Sequence, residues 1–283
     1  FDVCPILPRK GVGFKKFEAK KENLDKVEKN ELSFKNINSF DKNIHIRYKK
    51  TYGKIKSYIF SSEYISILKS NKPDLVILYD FPYFSSLKIV SFCKKNKIPI
   101  IGDFTEWFDT SGYRFLNKIF KKLDTSMRMK YLPKKVDAII AVSSLLENYF
   151  KFSFSKPLIK IYPIMDYTLY EIQDMKVNKK DASVNFSYIG NPAGGKDLLL
   201  KIIECIKNNE SRLCKLDLAG NFQNYNIIDD NNVIMHGNLS HKKALELLLN
   251  SDYQIIFREP KKSNNAGFPS KFAESISVGI PVI

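Results

Sequence analysis

Short apolar runs alternate with longer amphipathic stretches along this chain, and the alternation occurs twice. "KPDLVILYD" (72–80), "IPIIGDF" (98–104) and "VDAIIAVS" (136–143) are continuous β-rich runs, two of them opened by a proline. Runs of that kind suit parallel strands covered on both faces. Between them, "KIKSYIFSSEYISILKSN" (54–71), "FSSLKIVSFCKKNK" (84–97) and the stretch 114–135 place apolar residues at helical spacing, and "SLLENYF" starts another helix after Ser143. This order predicts an α/β, doubly wound unit with helices on both faces of a parallel sheet. At the front, "FDVCPIL" and "NIHIRY" (43–48) read as further strands, with a charged surface helix or loop between them.

The rhythm breaks at 156–184, a polar stretch with Pro157 and Pro163 that reads as a hinge or linker. It then restarts. Strands are expected at 185–190, 214–220, 232–237 and 253–259, helices at 196–209, 240–251 and 269–279, and "IPVI" begins one more strand. Two doubly wound units follow, and ligands favour the cleft between such domains. Within each unit the crevice lies at the carboxyl ends of the strands. Polar residues stand there in the front half: Asp80, Asp103 to Glu106, and Ser143 with Ser144.

Composition narrows the partners. Lys and Arg number 46 against 30 Asp and Glu, a net charge of +16. That balance suits nucleic acid, an anionic membrane or phosphorylated substrates, and it is also what a Lys- and Asn-rich composition produces without a functional cause. The four cysteines, Cys4, Cys93, Cys205 and Cys214, match neither a zinc spacing nor a C-x-x-C pair, and their apolar neighbours predict buried free thiols. No apolar run reaches the length of a membrane-spanning helix. The start lacks an initiator Met and a signal pattern, and the chain stops as a strand begins. Both ends therefore read as cut, with a first strand and a C-terminal segment expected beyond them.

Two stretches carry candidate chemistry. In "SYIGNPAGGKDLLL" a strand ends at Gly190, a loop holds Gly194 and Gly195, and Lys196 opens a helix. Such a loop either cradles a diphosphate, with Lys196 adding charge to the helix amides, or is an ordinary strand-to-helix turn. It fits neither the dinucleotide fingerprint nor the P-loop. In "AGFPSKFAES", Lys271 and Glu274 share one helix face. They form either a solvated ion pair worth about 0.3 kcal/mol or two separate contacts, Lys271 on phosphate and Glu274 on ribose hydroxyls.

Taken in order, "FSYIGNPAGGKDLLL", "LDLAG", "VIMHGNLSHKKALELLLNSDYQIIFRE" and "NAGFPSKFAESISVGIPVI" resemble the bacterial family 4 glycosyltransferases of GT-B type. "KPDLVILYD", "IPIIGDFTEWFD" and "VDAIIAVSSLLENYF" resemble that family's acceptor domain, especially in members that build surface polysaccharides. The resemblance covers the chain from about residue 55. It implies a GT-B fold: two Rossmann-like domains facing a central cleft, an acceptor-side domain at 1–163 and a nucleotide-sugar-binding domain at 164–283. It also implies a retaining transferase that moves a sugar from a nucleotide diphosphate donor to a saccharide or lipid-linked acceptor at the cytoplasmic face of the membrane.

Carried over by position, Gly190 and the loop Asn191 to Gly195 would face the donor diphosphate. Lys196 would be the phosphate-binding base, and Lys271 and Arg258 further charged contacts. Glu274 matches the second of the family's two glutamates spaced eight apart, the one on the ribose. The first would fall on Ala266, a departure that puts sugar identity in doubt; the backbone amides of Gly267 and Phe268 would serve instead. On the acceptor side many relatives have a His where this chain has "GDFTEWF". Here Asp103 or Glu106 would orient or deprotonate the acceptor hydroxyl, unless Asp103 caps the next turn and Trp107 only packs. Ser143 and Ser144 read as helix caps, and His236 as a neighbour of the nucleotide.

The reading needs no cofactor beyond the donor itself, and no residue spacing supports a metal site. The helix 114–135 sets Lys118, Lys121, Lys122, Arg128, Lys130, Lys134 and Lys135 beside Phe115, Leu116, Ile119, Phe120 and Leu123. It is either a packed helix with a solvated basic face or a contact with an anionic membrane surface. Two rivals to the transferase stand. A nucleotide-sugar epimerase shares the two-domain architecture. A nucleic-acid-binding protein would use the charge but lacks an aromatic RNA motif or a recognition helix, so nucleic acid is not expected as a partner.

Overall fold

A computed structural model describes residues 62–109, 115–165, 183–192, 197–209, 214–223, 225–227 and 230–283. "FDVCPIL", "NIHIRY", Cys4 and the segment 54–61 lie outside the described residues. Contacts group the chain into two compact units. One takes in the residues up to Phe104 with Tyr113–Ile140 and Phe154–Pro157. The other takes in Thr105–Gly112, Ala141–Ser153 and Leu158–Ile283.

The front of the chain runs α1 (Ser62–Asn71), β1 (Val76–Tyr79), α2 (Tyr83–Lys95), β2 (Ile100–Phe104), α3 (Phe115–Lys135), β3 (Ala138–Ala141), α4 (Ser144–Ser153) and β4 (Leu158–Lys160). These strands order as β1-β2-β3-β4, and β1 pairs parallel with β2 through Val76 and Ile100 to Tyr79 and Asp103. Alternate strand residues are buried, and Leu78, Ile100, Phe104 and Ile139 join Met129, Leu132 and Val136 in the core. Only the second half of α3 is enclosed. Phe115, Leu116, Ile119 and Leu123 of its first half stay exposed, at 76%, 66%, 49% and 46%.

The back of the chain runs β5 (Val184–Ile189), α5 (Leu199–Lys207), β6 (Cys214–Ala219), β7 (Val233–Gly237), α6 (His241–Leu249), β8 (Tyr253–Gln254), α7 (Lys262–Ala266) and α8 (Ser270–Ser277). The strand order is β7-β6-β5-β8, parallel at every pairing. One face of this sheet packs Tyr188, Leu216, Leu218 and Val233 against Leu199, Ile202, Ile203 and Ile206 of α5. A smaller cluster gathers Leu245 and Leu248 of α6 with Ile280. The order reverses at β5, with β6 on one side and β8 on the other. Ligands of open α/β sheets gather outside the carboxyl ends of the strands at such a switch point.

Three expectations are corrected. The segment 156–184 is not linker throughout, because Leu158–Lys160 form β4. The amide of Ile161 donates to the Ala141 carbonyl at 3.0 Å. Three residues bracketed by prolines are too few for an alternation to register in sequence. The strand expected at 253–259 stops at Gln254, after which Leu198 N donates to the Phe257 carbonyl at 2.8 Å and draws the chain toward the start of α5. The cysteines are not uniformly buried: Cys93 is buried, Cys214 half-buried and Cys205 exposed. Cys205 falls off the α5 face that carries Ile202, Ile203 and Ile206.

Candidate functional site at the end of strand β5

The carboxyl ends of β5, β6 and β7 form a ledge of glycines. Gly190 turns the chain off β5 at φ +128°, and Gly220 leaves β6 at +149°. The amide of Gly190 donates to the Ala219 carbonyl at 2.7 Å, and that of Gly220 to the Gly237 carbonyl at 2.8 Å. Room decides Gly220 as much as φ does, because a Cβ there meets backbone, whereas at Gly190 φ decides and the nearest atom belongs to a flexible lysine stem. A Cβ on Gly220 would lie 2.4 Å from the Gly190 carbonyl oxygen, and one on Gly190 would lie 2.7 Å from Cε of Lys271. Asn191 braces the ledge, its Oδ1 accepting from the Asn221 amide at 2.8 Å.

Lys271 reaches Gly190 from α8, and its partner is Asp197, just ahead of α5. Asp197 and Arg258 sit side by side because their backbones form an antiparallel bridge. The Asp197 carboxylate accepts from Arg258 Nε at 2.5 Å, from Lys271 Nζ at 2.9 Å and from the Tyr188 hydroxyl at 2.6 Å. The Lys271 ammonium also lies 3.8 Å from the centre of the Tyr188 ring, a cation–π contact. Side-chain exposure is 4% for Asp197, 12% for Lys271 and 21% for Arg258. Two enclosed cations thus share one carboxylate.

The titration behaviour follows from that enclosure. Burial acts to raise the Asp197 carboxyl, but the bonds from Tyr188, Lys271 and Arg258 outweigh it and hold it below the usual carboxylate range. Burial lowers the Lys271 ammonium; Asp197 opposes this, Arg258 adds to it, and the net shift is downward. Burial together with the bond to Asp197 pushes the Tyr188 hydroxyl well above its ordinary value. Glu274 lies one turn beyond Lys271 on α8. Burial raises its carboxyl, and the Lys271 charge offsets only part of that.

Gly190, Arg258, Lys271 and Glu274 therefore belong to the second unit at or beside the switch point, and Lys271 is neither a solvated residue nor directly bonded to Glu274. Lys196, Gly194 and Gly195 lie outside the described residues. Gly267 closes α7 in extended conformation, and Phe268 packs tilted against Tyr162 and edge-on against Phe272, at 4.9 and 5.6 Å between ring centres. The residue that sequence reading missed is Asp197. An aspartate before an apolar helical run is an ordinary helix-start signal. Its partners lie 61 and 74 residues further on, so no local spacing marks it.

Asp103 ends β2 in the first unit. Its carbonyl accepts from the amide of Asp80, whose carboxylate pairs with the fully buried Arg128. Burial first, and then the charge of Asp80, push the Asp103 carboxyl up to about 7. That value suits a group that gives and takes protons near neutrality.

Glu106 and Trp107 belong to the second unit. Trp107 packs edge-on to Tyr149 and carries the Lys262 ammonium 3.4 Å from its ring centre. Ser143 is a helix cap, as expected: Oγ accepts from Leu146 N at 3.3 Å, while donating to the Ala266 carbonyl at 2.7 Å. Ser144 instead accepts from Lys160 Nζ at 3.2 Å. His236 Nε2 lies 2.5 Å from Asp217 Oδ1. Among the described residues, no helix is long and apolar enough to cross a membrane.

No protein-family profile matches the chain, and no curated protein is similar to it in sequence. Solved structures are similar in fold. Anabaena Alr3699/HepE in complex with UDP superposes with a TM-score of 0.54 at 13% identity, over 77% of this chain and 61% of that one. Sucrose-phosphate synthase from Thermosynechococcus elongatus gives 0.54 at 12% identity, over 84% and 62%. The pneumococcal O-GlcNAc transferase GtfA, in complex with UDP and GlcNAc, gives 0.53 at 11%, over 78% and 44%. The chain thus matches about three fifths of the length of the first two of these structures. Its two parallel sheets and their helices are the α/β fold of the GT-B glycosyltransferases.

Proposed function

We propose that this chain belongs to a retaining glycosyltransferase that moves a sugar from a nucleotide diphosphate donor to a saccharide or lipid-linked saccharide in cell-surface polysaccharide synthesis. The observation that carries the reading is the enclosed pair of cations, Lys271 and Arg258, beside a glycine that leaves its strand at the sheet's switch point. Cations held in a low-dielectric niche stabilise the charge that develops on a diphosphate leaving group. The neighbours' complexes with UDP support a uridine nucleotide as the first donor to try.

In this reading the donor domain is 164–283 and the acceptor-side domain 1–163. Lys196, Gly194, Gly195 and Asn191 complete the diphosphate loop, Glu274 accepts from the ribose hydroxyls, and the amides of Gly267 and Phe268 meet the sugar. Asp103, with Glu106 as the alternative, orients the acceptor hydroxyl and takes its proton. The donor is the only small molecule required.

The test is a panel of nucleotide sugars offered to the full-length protein with and without saccharide acceptors. Transfer should depend on acceptor and fall at least tenfold in Glu274→Ala. The rate kcat/KM should drop as pH falls through about 7, where Asp103 takes up its proton. Asp103→Asn should lower activity and remove that limb. Isomerisation of the donor with no acceptor present would replace the transferase reading with an epimerase.

The exposed apolar first half of α3, set among Lys118, Lys121 and Lys122, supports a peripheral contact with the cytoplasmic membrane face. Vesicles containing phosphatidylglycerol should sediment the protein at low salt and release it at high salt. Leu116→Glu with Ile119→Glu should abolish the sedimentation; equal binding to neutral vesicles would count against the idea.

A further inference from the structure

Asp197 has no part in the reading above, yet it is the most enclosed charged side chain among the described residues of the second unit. A carboxylate in a niche meant for an anion needs a reason, since on its own it repels the ligand. The geometry supplies one. The Lys271 stem crosses Gly190 in a space too small for a Cβ, and its ammonium ends between Asp197 and the face of Tyr188. Arg258 reaches the other oxygen of the same carboxylate. Without that carboxylate, the half-buried Lys271 ammonium would feel the Arg258 charge with no acid bonded to it.

We propose that Asp197 is a positioning residue of the diphosphate site: its carboxylate anchors the Lys271 ammonium and the Arg258 guanidinium beside Gly190, so that both present their charge to a diphosphate that Asp197 itself does not touch. The inference rests on the donor-binding reading given above.

The groups facing Lys271 come from every element around it. They are Asp197 ahead of α5, Arg258 after β8, Tyr188 on β5 with Tyr225 acting on it, and Glu274 on α8 itself. Asp197 is the acid that bonds the ammonium, whereas Glu274 acts through space. Burial already works against the protonated amine. Removing Asp197 leaves that burial and the repulsion from Arg258, so Lys271 should give up its proton at a lower pH than in the unsubstituted chain.

The experiment compares binding of inorganic pyrophosphate by the full chain and by Asp197→Asn, each pH read as the ratio of the two so that the probe's own titration cancels. The ratio is expected near one at about pH 6 and about tenfold in favour of the unsubstituted chain at about pH 8.5. In the Lys271→Met background the pH dependence of the ratio should vanish, and Asp197→Glu should restore most of the binding. A ratio that is the same at every pH, whether one or ten, overturns the inference and leaves the donor site standing.

Failure of the unsubstituted chain to bind either pyrophosphate or UDP overturns the donor-site reading and the inference with it. Should Asp197→Asn not fold, the titration of Lys271 in the unsubstituted chain, followed by NMR of labelled lysine, decides. It should be a charged ammonium wherever pyrophosphate binds, and a neutral amine there refutes the anchor.

Discussion

On the proposed function, replacing Lys271 with methionine is expected to lower kcat/KM for sugar transfer by about 10² to 10³, the usual loss when one preorganised charge or donor is taken from a transition state. Methionine keeps the length and apolar body of the side chain, so the space over Gly190 stays filled. Asp197 keeps Arg258 and Tyr188 as partners. The carboxylate is therefore still compensated, and the melting temperature should change little. The loss should appear in kcat at least as much as in KM, because charge on the leaving diphosphate grows as the glycosidic bond breaks. Steady-state kinetics beside a thermal melt separate the two effects. A variant that melts normally and transfers normally would show that the lysine serves neither the leaving group nor the fold.

The second large effect is on stability. Arg128→Met should cost about 3–5 kcal/mol, the range for removing one partner of a buried ion pair. The Arg128 side chain is wholly enclosed and that of Asp80 only 10% exposed. The guanidinium also lies 5.7 Å from the Phe104 ring centre, so it packs as well as pairs. Asp80 sits at φ +42° just after β1. Urea unfolding of the single variants and of Asp80→Asn/Arg128→Met measures the coupling. The double variant should lose clearly less than the sum, because it strands no charge. Additive losses would mean that the arginine contributes packing alone.

The two sites differ in how much of them could be read in advance. The runs at 72–80, 98–104, 136–143 and 185–190 announce strands because a strand covered on both faces is apolar along most of its length. Gly190 and Lys271 stand out because a strand-ending glycine and a lysine in the first turn of a helix are local patterns. Arg128 looked like one more basic residue on a basic helix, and it is fully buried instead. Nothing within a turn of it says so, since its partner Asp80 lies 48 residues away. The β4 strand is three residues long, and its pairing with β3 depends on where α4 returns the chain.

From its order of residues alone this chain determined two doubly wound units and the glycine-marked strand ends at which chemistry would gather, because period, turn residues and apolar runs act within a few residues of one another. Only the folded molecule decided which charges meet there. The crossing of the segment before α5 with the segment after β8 brings Asp197 to Arg258 and Lys271. A charge has no spacing of its own, and its partner is chosen by the path of the backbone.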